Sequence, residues 1–250
     1  MKKFSILSKA FLAALAVASL TLIGGVRASQ AGVSLTLSNG SIVTITDGQL
    51  GFDLNPNPGA ITFVGPVGNF STTITSGTSN SIGDPSGANL QINSMAFRNT
   101  TASLQTLTIT FGDTNFTVPG GSSLSLSSSI GGTISNAQVG DQILFQSYAD
   151  NSNTGSISGG SVTTTGVQTF NVTSPGIIPP FLIASSPASF SAAGAYSLTN
   201  KITITLSPNA VANVSGTTYV TAAVPEPASL ALLAPVALTL LARRKRSSAR

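Results

Sequence analysis

The chain has no cysteine, histidine or tryptophan, and only 7% of its 250 residues are charged. Without cysteine there are no disulfides, although an exported protein would be permitted them. Without histidine or cysteine, Ser-His-Asp and Cys-His catalysis, imidazole-ligated zinc and a general-base imidazole all fall away. Between the two termini there is also no glutamate. A paired-carboxylate hydrolase would therefore need two of Asp47, Asp53, Asp84, Asp113, Asp141 and Asp150. Most of these stand beside Gly, Asn, Pro or Ser, where an Asp carboxylate serves its own turn. A Ser-Lys dyad has only Lys201 to draw on, and no Ser motif accompanies it. The expectation is a protein without catalytic residues or cofactor, with an Asp-based hydrolase as the remote alternative.

Charge is scarce and unevenly placed. The net +4 comes from the two ends: Lys2, Lys3, Lys9 and Arg27 at one, and Arg243, Arg244, Lys245, Arg246 and Arg250 at the other. Between Ser29 and Val224 only Arg98 and Lys201 oppose six Asp, a net charge of −4. Nucleic-acid binding needs a basic face, and this body has none. Gly and Pro number 25 and 13, short of the roughly 25–30% that marks low-complexity chains. Low charge with ordinary apolar content reverses the signature of disorder. A folded body of about 200 residues can bury a sizeable core.

The ends read as addresses. At the N-terminus a lysine leader precedes the apolar run Ala10 to Gly25, and Val26-Arg27-Ala28 sets small residues at −3 and −1. That is a secretory signal peptide, residues 1–28, cleaved by signal peptidase between Ala28 and Ser29. A cut after Ala31 is the second choice, and a retained anchor is the alternative. At the C-terminus Val224-Pro225-Glu226-Pro227 leads into the apolar segment 228–242 and then Arg243-Arg244-Lys245-Arg246. The segment is shorter than the roughly 20 residues of an ordinary spanning helix, and Pro235 interrupts it. Arg243 and its neighbours extend its reach by snorkelling. The positive-inside rule places both basic ends on the cytoplasmic side.

The tail over residues 224–250 resembles the PEP-CTERM protein-sorting signal: Val224 to Ser229 as motif, Leu230 to Ala242 as membrane segment, Arg243 to Arg246 as basic stop. The resemblance covers about a tenth of the chain, and Pro235 departs from it. It implies processing by an exosortase-type enzyme at or near Pro-Glu-Pro in a Gram-negative bacterium that makes exopolysaccharide. It also implies a membrane-anchored precursor exported to the cell surface or the extracellular matrix of a biofilm. The same C-terminal module accompanies some ice-binding proteins.

The body, residues 29–223, alternates apolar and hydroxyl residues with period two. Val33 to Leu37 and Ile42 to Thr46 flank Asn39-Gly40, a type I′ hairpin signal. Further strands are expected at 60–64, 70–75, 90–97, 104–111, 115–118, 123–127, 142–148, 166–172, 196–206 and 217–222. Turns are expected at Gly112-Asp113, Gly120-Gly121, Gly131-Gly132 and Gly159-Gly160. Residues 173–193, richer in Pro and Ala, read as a long loop or a subdomain break. Many short strands with no helical stretch between the ends predict an all-β antiparallel sandwich carrying a short C-terminal hydrophobic helix. A β-solenoid is the runner-up, but no fixed repeat appears.

Three features of the body bear on ligands. Asp150, Ser152 and Thr154 occupy positions 1, 3 and 5, with Gly155 at 6, of an EF-hand-type calcium loop. Position 12 is Ser161, so no bidentate carboxylate closes the site, and a polar hairpin loop is the favoured reading. Thr44/Thr46, Thr73/Thr75, Thr106/Thr108/Thr110 and Thr203/Thr205 each set hydroxyls on one strand face. Such rows could match ordered water, although no sequence repeat aligns them. Tyr148, Tyr196 and Tyr219 are the only tyrosines, a thin basis for an aromatic sugar platform. The resulting expectation is an exported structural or adhesive surface protein, in contact with exopolysaccharide, with a polysaccharide-binding or ice-binding module as the alternative.

Overall fold

The computed structural model describes residues 32–223. The signal peptide and its Ala28–Ser29 cleavage point lie outside these residues, as do the sorting motif Val224 to Pro227, the segment 228–242 and the basic stop Arg243 to Arg246. Among the described residues there is no helix, and so none long and apolar enough to cross a membrane.

In chain order the strands are β1 (Ser34–Asn39), β2 (Ser41–Thr46), β3 (Ala60–Val67), β4 (Phe70–Ser79), β5 (Ala88–Asn99), β6 (Gln105–Phe116) and β7 (Gly121–Ala137). Then follow β8 (Gln142–Asp150), β9 (Val162–Thr164), β10 (Gln168–Asn171), β11 (Gly176–Ala184), β12 (Ala188–Ala192), β13 (Tyr196–Leu206) and β14 (Val211–Ala222). The first sheet runs β10-β8-β13-β6-β1-β2, with β9 also on β8; the second runs β11-β7-β14-β5-β4-β3, with β12 also on β7. Neighbours within each sheet are antiparallel.

Period-two patterning puts one face of each sheet into a shared core. On β13, Ile202, Ile204 and Leu206 are buried while Lys201, Thr203 and Thr205 between them are half-exposed. Leu35, Ile109, Phe111, Phe145 and Ile202 from the first sheet join Ile74, Leu90, Phe97, Leu126 and Val220 from the second in one apolar cluster. Two glycines hollow the second sheet for aromatic rings of the first. A Cβ at Gly77 would lie 2.7 Å from the Phe111 ring, and one at Gly216 would lie 3.3 Å from Phe145. One buried polar link also crosses the interior. Ser147 Oγ donates to Asn200 Oδ1 at 2.9 Å and pairs with Thr218 Oγ1 at 2.6 Å. Asn200 Nδ2 donates to the Leu90 carbonyl at 3.3 Å. Such a link holds register only while every member stays satisfied.

The all-β sandwich stands as expected, and the structure corrects several boundaries. Asn39-Gly40 does close a hairpin, but Asn39 pairs with Ser41 across Gly40, and Gly40 alone has positive φ, at 71°. A type I′ turn requires positive φ at both central residues, so that turn type is overturned. Gly112-Asp113 is not a turn. β6 runs straight through it because β13 continues alongside, pairing Gly112 with Thr199 and Asp113 with Leu198. Gly131-Gly132 also lies within a strand, β7, where β11 and β14 flank it closely. A Cβ on Gly132 would strike the Asn213 carbonyl, and one on Gly131 would lie 2.9 Å from the Phe181 carbonyl. The stretch 173–193 is not a loop but supplies β11 and β12, both paired with β7. Pro179 and Pro180 are tolerated because β11 is an edge strand with a register shift between Ile178 and Phe181.

The two ends of the described chain meet at one pole. Gly32 abuts Thr114 near the end of β6, and the Ala223 amide donates to the Ser123 carbonyl near the start of β7 at 3.0 Å. Only residues 117–120 separate β6 from β7.

Candidate functional site: a hydroxyl-lined face of the first sheet

Strand register brings together what the sequence leaves scattered. Thr36 of β1 pairs with Thr44 of β2 on one side and Thr110 of β6 on the other; Thr110 pairs with Lys201 of β13, and Lys201 with Gln146 of β8. The next row reads Ile42, Ser38, Thr108, Thr203, Leu144, and the one beyond holds Thr106, Thr205 and Gln142. Each of these residues alternates with a core residue, so all share the outward face. Strand spacing and pleat repeat set the hydroxyls on a grid of about 4.8 Å by about 6.7 Å. Neighbouring hydroxyls touch across strands: Thr36 and Thr44 Oγ1 at 3.3 Å, Thr106 and Thr205 Oγ1 at 3.0 Å. Each hydroxyl has one donor and two acceptor sites, so paired threonines keep capacity for a ligand or water.

Three of the four threonine groups are therefore aligned without any sequence repeat, because register alone suffices. The fourth does not join them, since Thr73 belongs to β4 in the second sheet. The tyrosines do not converge. Tyr196 is wholly buried and Tyr148 nearly so, while Tyr219 is 47% exposed on β14 of the other sheet.

Lys201, considered in the sequence only as half of a Ser-Lys dyad, stands half-exposed on this face. It forms no ion pair among the described residues. A shallow pocket of about 100 Å³ beside it is lined by Leu144, Gln146, Val167 and Thr203. The Gln146 amide is oriented from both sides: Oε1 accepts from Tyr148 Oη at 2.7 Å, and Nε2 donates to Thr164 Oγ1. Pairwise strand registration was the signal needed to find this site, and spacing along one chain does not carry it.

The carboxylates lie elsewhere. Asp150, at the end of β8, is 1% exposed and organises the loop after it. Oδ1 accepts from the Ser152 amide at 2.9 Å and Ser161 Oγ at 2.8 Å; Oδ2 accepts from the Thr154 amide at 3.0 Å and Thr154 Oγ1 at 2.7 Å. Burial pushes its pKa up, but these donors together hold it well below the usual carboxylate range. Ser152 and Thr154 thus act as donors to the carboxylate, and its lone pairs are spent inside the loop. No group of three or more His, Cys, Asp or Glu among the described residues is placed to hold a metal. Asp47 and Asp113 are near enough for the charge of one to be felt by the other. Asp113 is 1% exposed, so a substrate in solution does not reach it. Burial pushes its carboxyl up to about 6, with the Asp47 charge adding to the rise.

No protein-family model matches the chain. No curated protein matches it. Among solved structures it is similar to TmCBM61, solved in complex with β-1,4-galactotriose, at 8% identity and a TM-score of 0.30, covering 62% of this chain and 89% of that one. It is also similar to the enzymatically active domain of bacteriophage CBA120 tailspike protein 4, at 12% identity and a TM-score of 0.27, covering 60% and 19%. A third likeness is to Arthrobacter globiformis T6 isomalto-dextranase complexed with panose, at 14% identity and a TM-score of 0.23, covering 75% and 30%. Scores of this size carry no argument about ligand or chemistry.

Proposed function

We propose that this chain is an exported structural or adhesive protein of the cell surface or matrix, sorted through its PEP-CTERM-like tail, whose hydroxyl face lies against hydrated polysaccharide. The observation that carries the reading is the alignment of Ser and Thr side chains on β1, β2, β6 and β13 into registered rows. A sparsely charged, hydroxyl-covered sheet exchanges hydrogen bonds with a hydroxylated polymer at many points, each worth little.

Two measurements test it. Intact mass and location of the host protein, with and without the processing enzyme, address the sorting. A form running from near Ser29 to near Pro225 outside the cell is the expected product, and a membrane-bound form retaining Arg243 to Arg250 counts against it. Co-sedimentation with host exopolysaccharide addresses the face. Thr108→Val with Thr203→Val preserves shape and removes two central hydroxyls, and it should weaken sedimentation while leaving the circular dichroism unchanged. Equal sedimentation of variant and parent would exclude the face.

The same alignment favours one second reading, an ice-binding surface. That reading requires thermal hysteresis in the purified protein, abolished by Thr108→Tyr. Ordinary freezing behaviour removes it.

A further inference from the structure

The two cations of the body are differently disposed. Arg98 sits on β5 of the second sheet and donates to Asn209 Oδ1 at 3.2 Å. Lys201 stands in the middle of the hydroxyl face, half-exposed, with no carboxylate partner among the described residues. The body's acids are occupied elsewhere. Asp47 accepts from the Gly59 amide at 2.6 Å, Asp53 from the Gly48 amide at 3.0 Å, and Asp141 from the Ser207 amide at 2.6 Å. Asp84 holds Ser86, Asp150 its own loop, and Asp113 is buried. A body of net charge −4 therefore presents a sheet face whose only exposed formal charge is positive.

From this geometry we infer that Lys201 and its pocket receive the carboxylate of an acidic, uronate-type sugar in a polysaccharide lying along the hydroxyl rows. The inference rests on the polysaccharide reading above and names its ligand class. The pocket, at about 100 Å³, is well below the roughly 300–1,000 Å³ of a site that engulfs a whole ligand. It fits one substituent of a ring that otherwise lies on the surface. Leu144 and Val167 offer apolar flanks to the ring's C–H face, and Thr203 and the fixed Gln146 amide flank the charge with polar groups. An ammonium is a compact point charge that meets a carboxylate without demanding a bidentate approach. An exposed pair of this kind adds little per site.

The test uses the full protein with polygalacturonate, its fully methyl-esterified neutral form, and dextran sulfate, at low and at moderate salt. Polygalacturonate should bind most tightly, and moderate salt should weaken that preference by screening. Lys201→Gln should lower binding to polygalacturonate by about three- to fivefold, the size of an exposed ion pair, and leave the methyl ester unaffected. Arg98→Gln should change neither. If both galacturonans bind equally and Lys201→Gln is silent, the hydroxyl-face reading stands and the carboxylate inference falls. Tighter binding to dextran sulfate than to polygalacturonate overturns the uronate assignment in favour of general polyanion attraction. If no polymer binds, the polysaccharide reading itself falls, and this inference with it.

Discussion

Asp113 should make this protein less stable as the pH rises from 4 to 7, the reverse of the usual behaviour of a carboxylate. The side chain points inward near the end of β6 and is 1% exposed. Oδ1 accepts from the Thr114 amide at 2.7 Å, while Oδ2 has no hydrogen-bond partner. Burial raises its pKa to about 6; Ser79, Thr114 and Gly32 pull it down, and the Asp47 charge adds to the rise. In the unfolded chain the same group titrates near 3.9. Between those values the folded state holds a proton that the unfolded state has released. The stabilisation is therefore complete below about pH 4 and is lost as the pH climbs through about 6. At about 1.36 kcal/mol for each pH unit between the two values, the effect amounts to about 3 kcal/mol. The chain contains no histidine to blur the window. Asp150 and Asp84 are shifted downward, so their stabilisation is present above about pH 4 and is lost only below it. Urea denaturation at pH 4.5, 5.5, 6.5 and 7.5 reads the slope directly. Asp113→Asn, which mimics the protonated acid, should flatten the profile and raise stability at pH 7.5 by about 1–2 kcal/mol, less than the full shift because one amide donor stays unpaired. A parent protein whose stability is flat or rising from pH 4.5 to 7.5, with Asp113→Asn destabilised at 7.5, would refute the reasoning.

Three further outcomes follow from the packing. Gly132→Ala places a methyl against the Asn213 carbonyl and 2.8 Å from Val214 Cγ1; it should cost about 1–3 kcal/mol, whereas Gly160→Ala, which meets open space, should leave the melting temperature nearly unchanged. Asn200→Ala removes the acceptor of the Ser147 and Thr218 hydroxyls and leaves them only each other, with one hydroxyl hydrogen stranded in the core, and should lower stability by about 1–3 kcal/mol. Combining Asn200→Ala with Ser147→Val and Thr218→Val removes both hydroxyls as well and should recover part of that loss; no recovery would mean the polar link is not the cause. Asp150→Ala removes the acceptor for Ser152, Thr154 and Ser161. Its expected cost is about 2 kcal/mol, with limited proteolysis cutting first within residues 151–161; protection equal to the parent would contradict the loop's dependence on this carboxylate.

Much of the fold is legible in local patterning, because period-two alternation reports which face of a strand is buried whatever its partner. The alternation bounds Tyr196 to Leu206 correctly, and it finds the strands that start at or near Phe70, Leu90 and Gln142, which the structure shows to be longer. Glycine misleads wherever its role is long-range. Gly112, Gly131 and Gly132 look like turn residues in one dimension, yet they lie in continuous strands. At Gly132 the reason is the close approach of β14. The Pro-rich stretch 173–193 misleads in the same way, since edge position, which decides whether proline is tolerated, is a property of the sheet.

The sequence by itself determined that the body is all-β, that it lacks the residues for histidine or cysteine chemistry, and that its charges are few. Those properties follow from composition and from a period that needs no knowledge of neighbours. Only the tertiary structure decided that Thr36, Thr44, Thr108, Thr110 and Thr203 form one face with Lys201 among them, and that Asp113 and Asp150 sit in opposite electrostatic circumstances. Register and burial are set by pairing between residues far apart along the chain, as Thr108 and Thr203 are. Nothing local to either residue encodes which partner it will face.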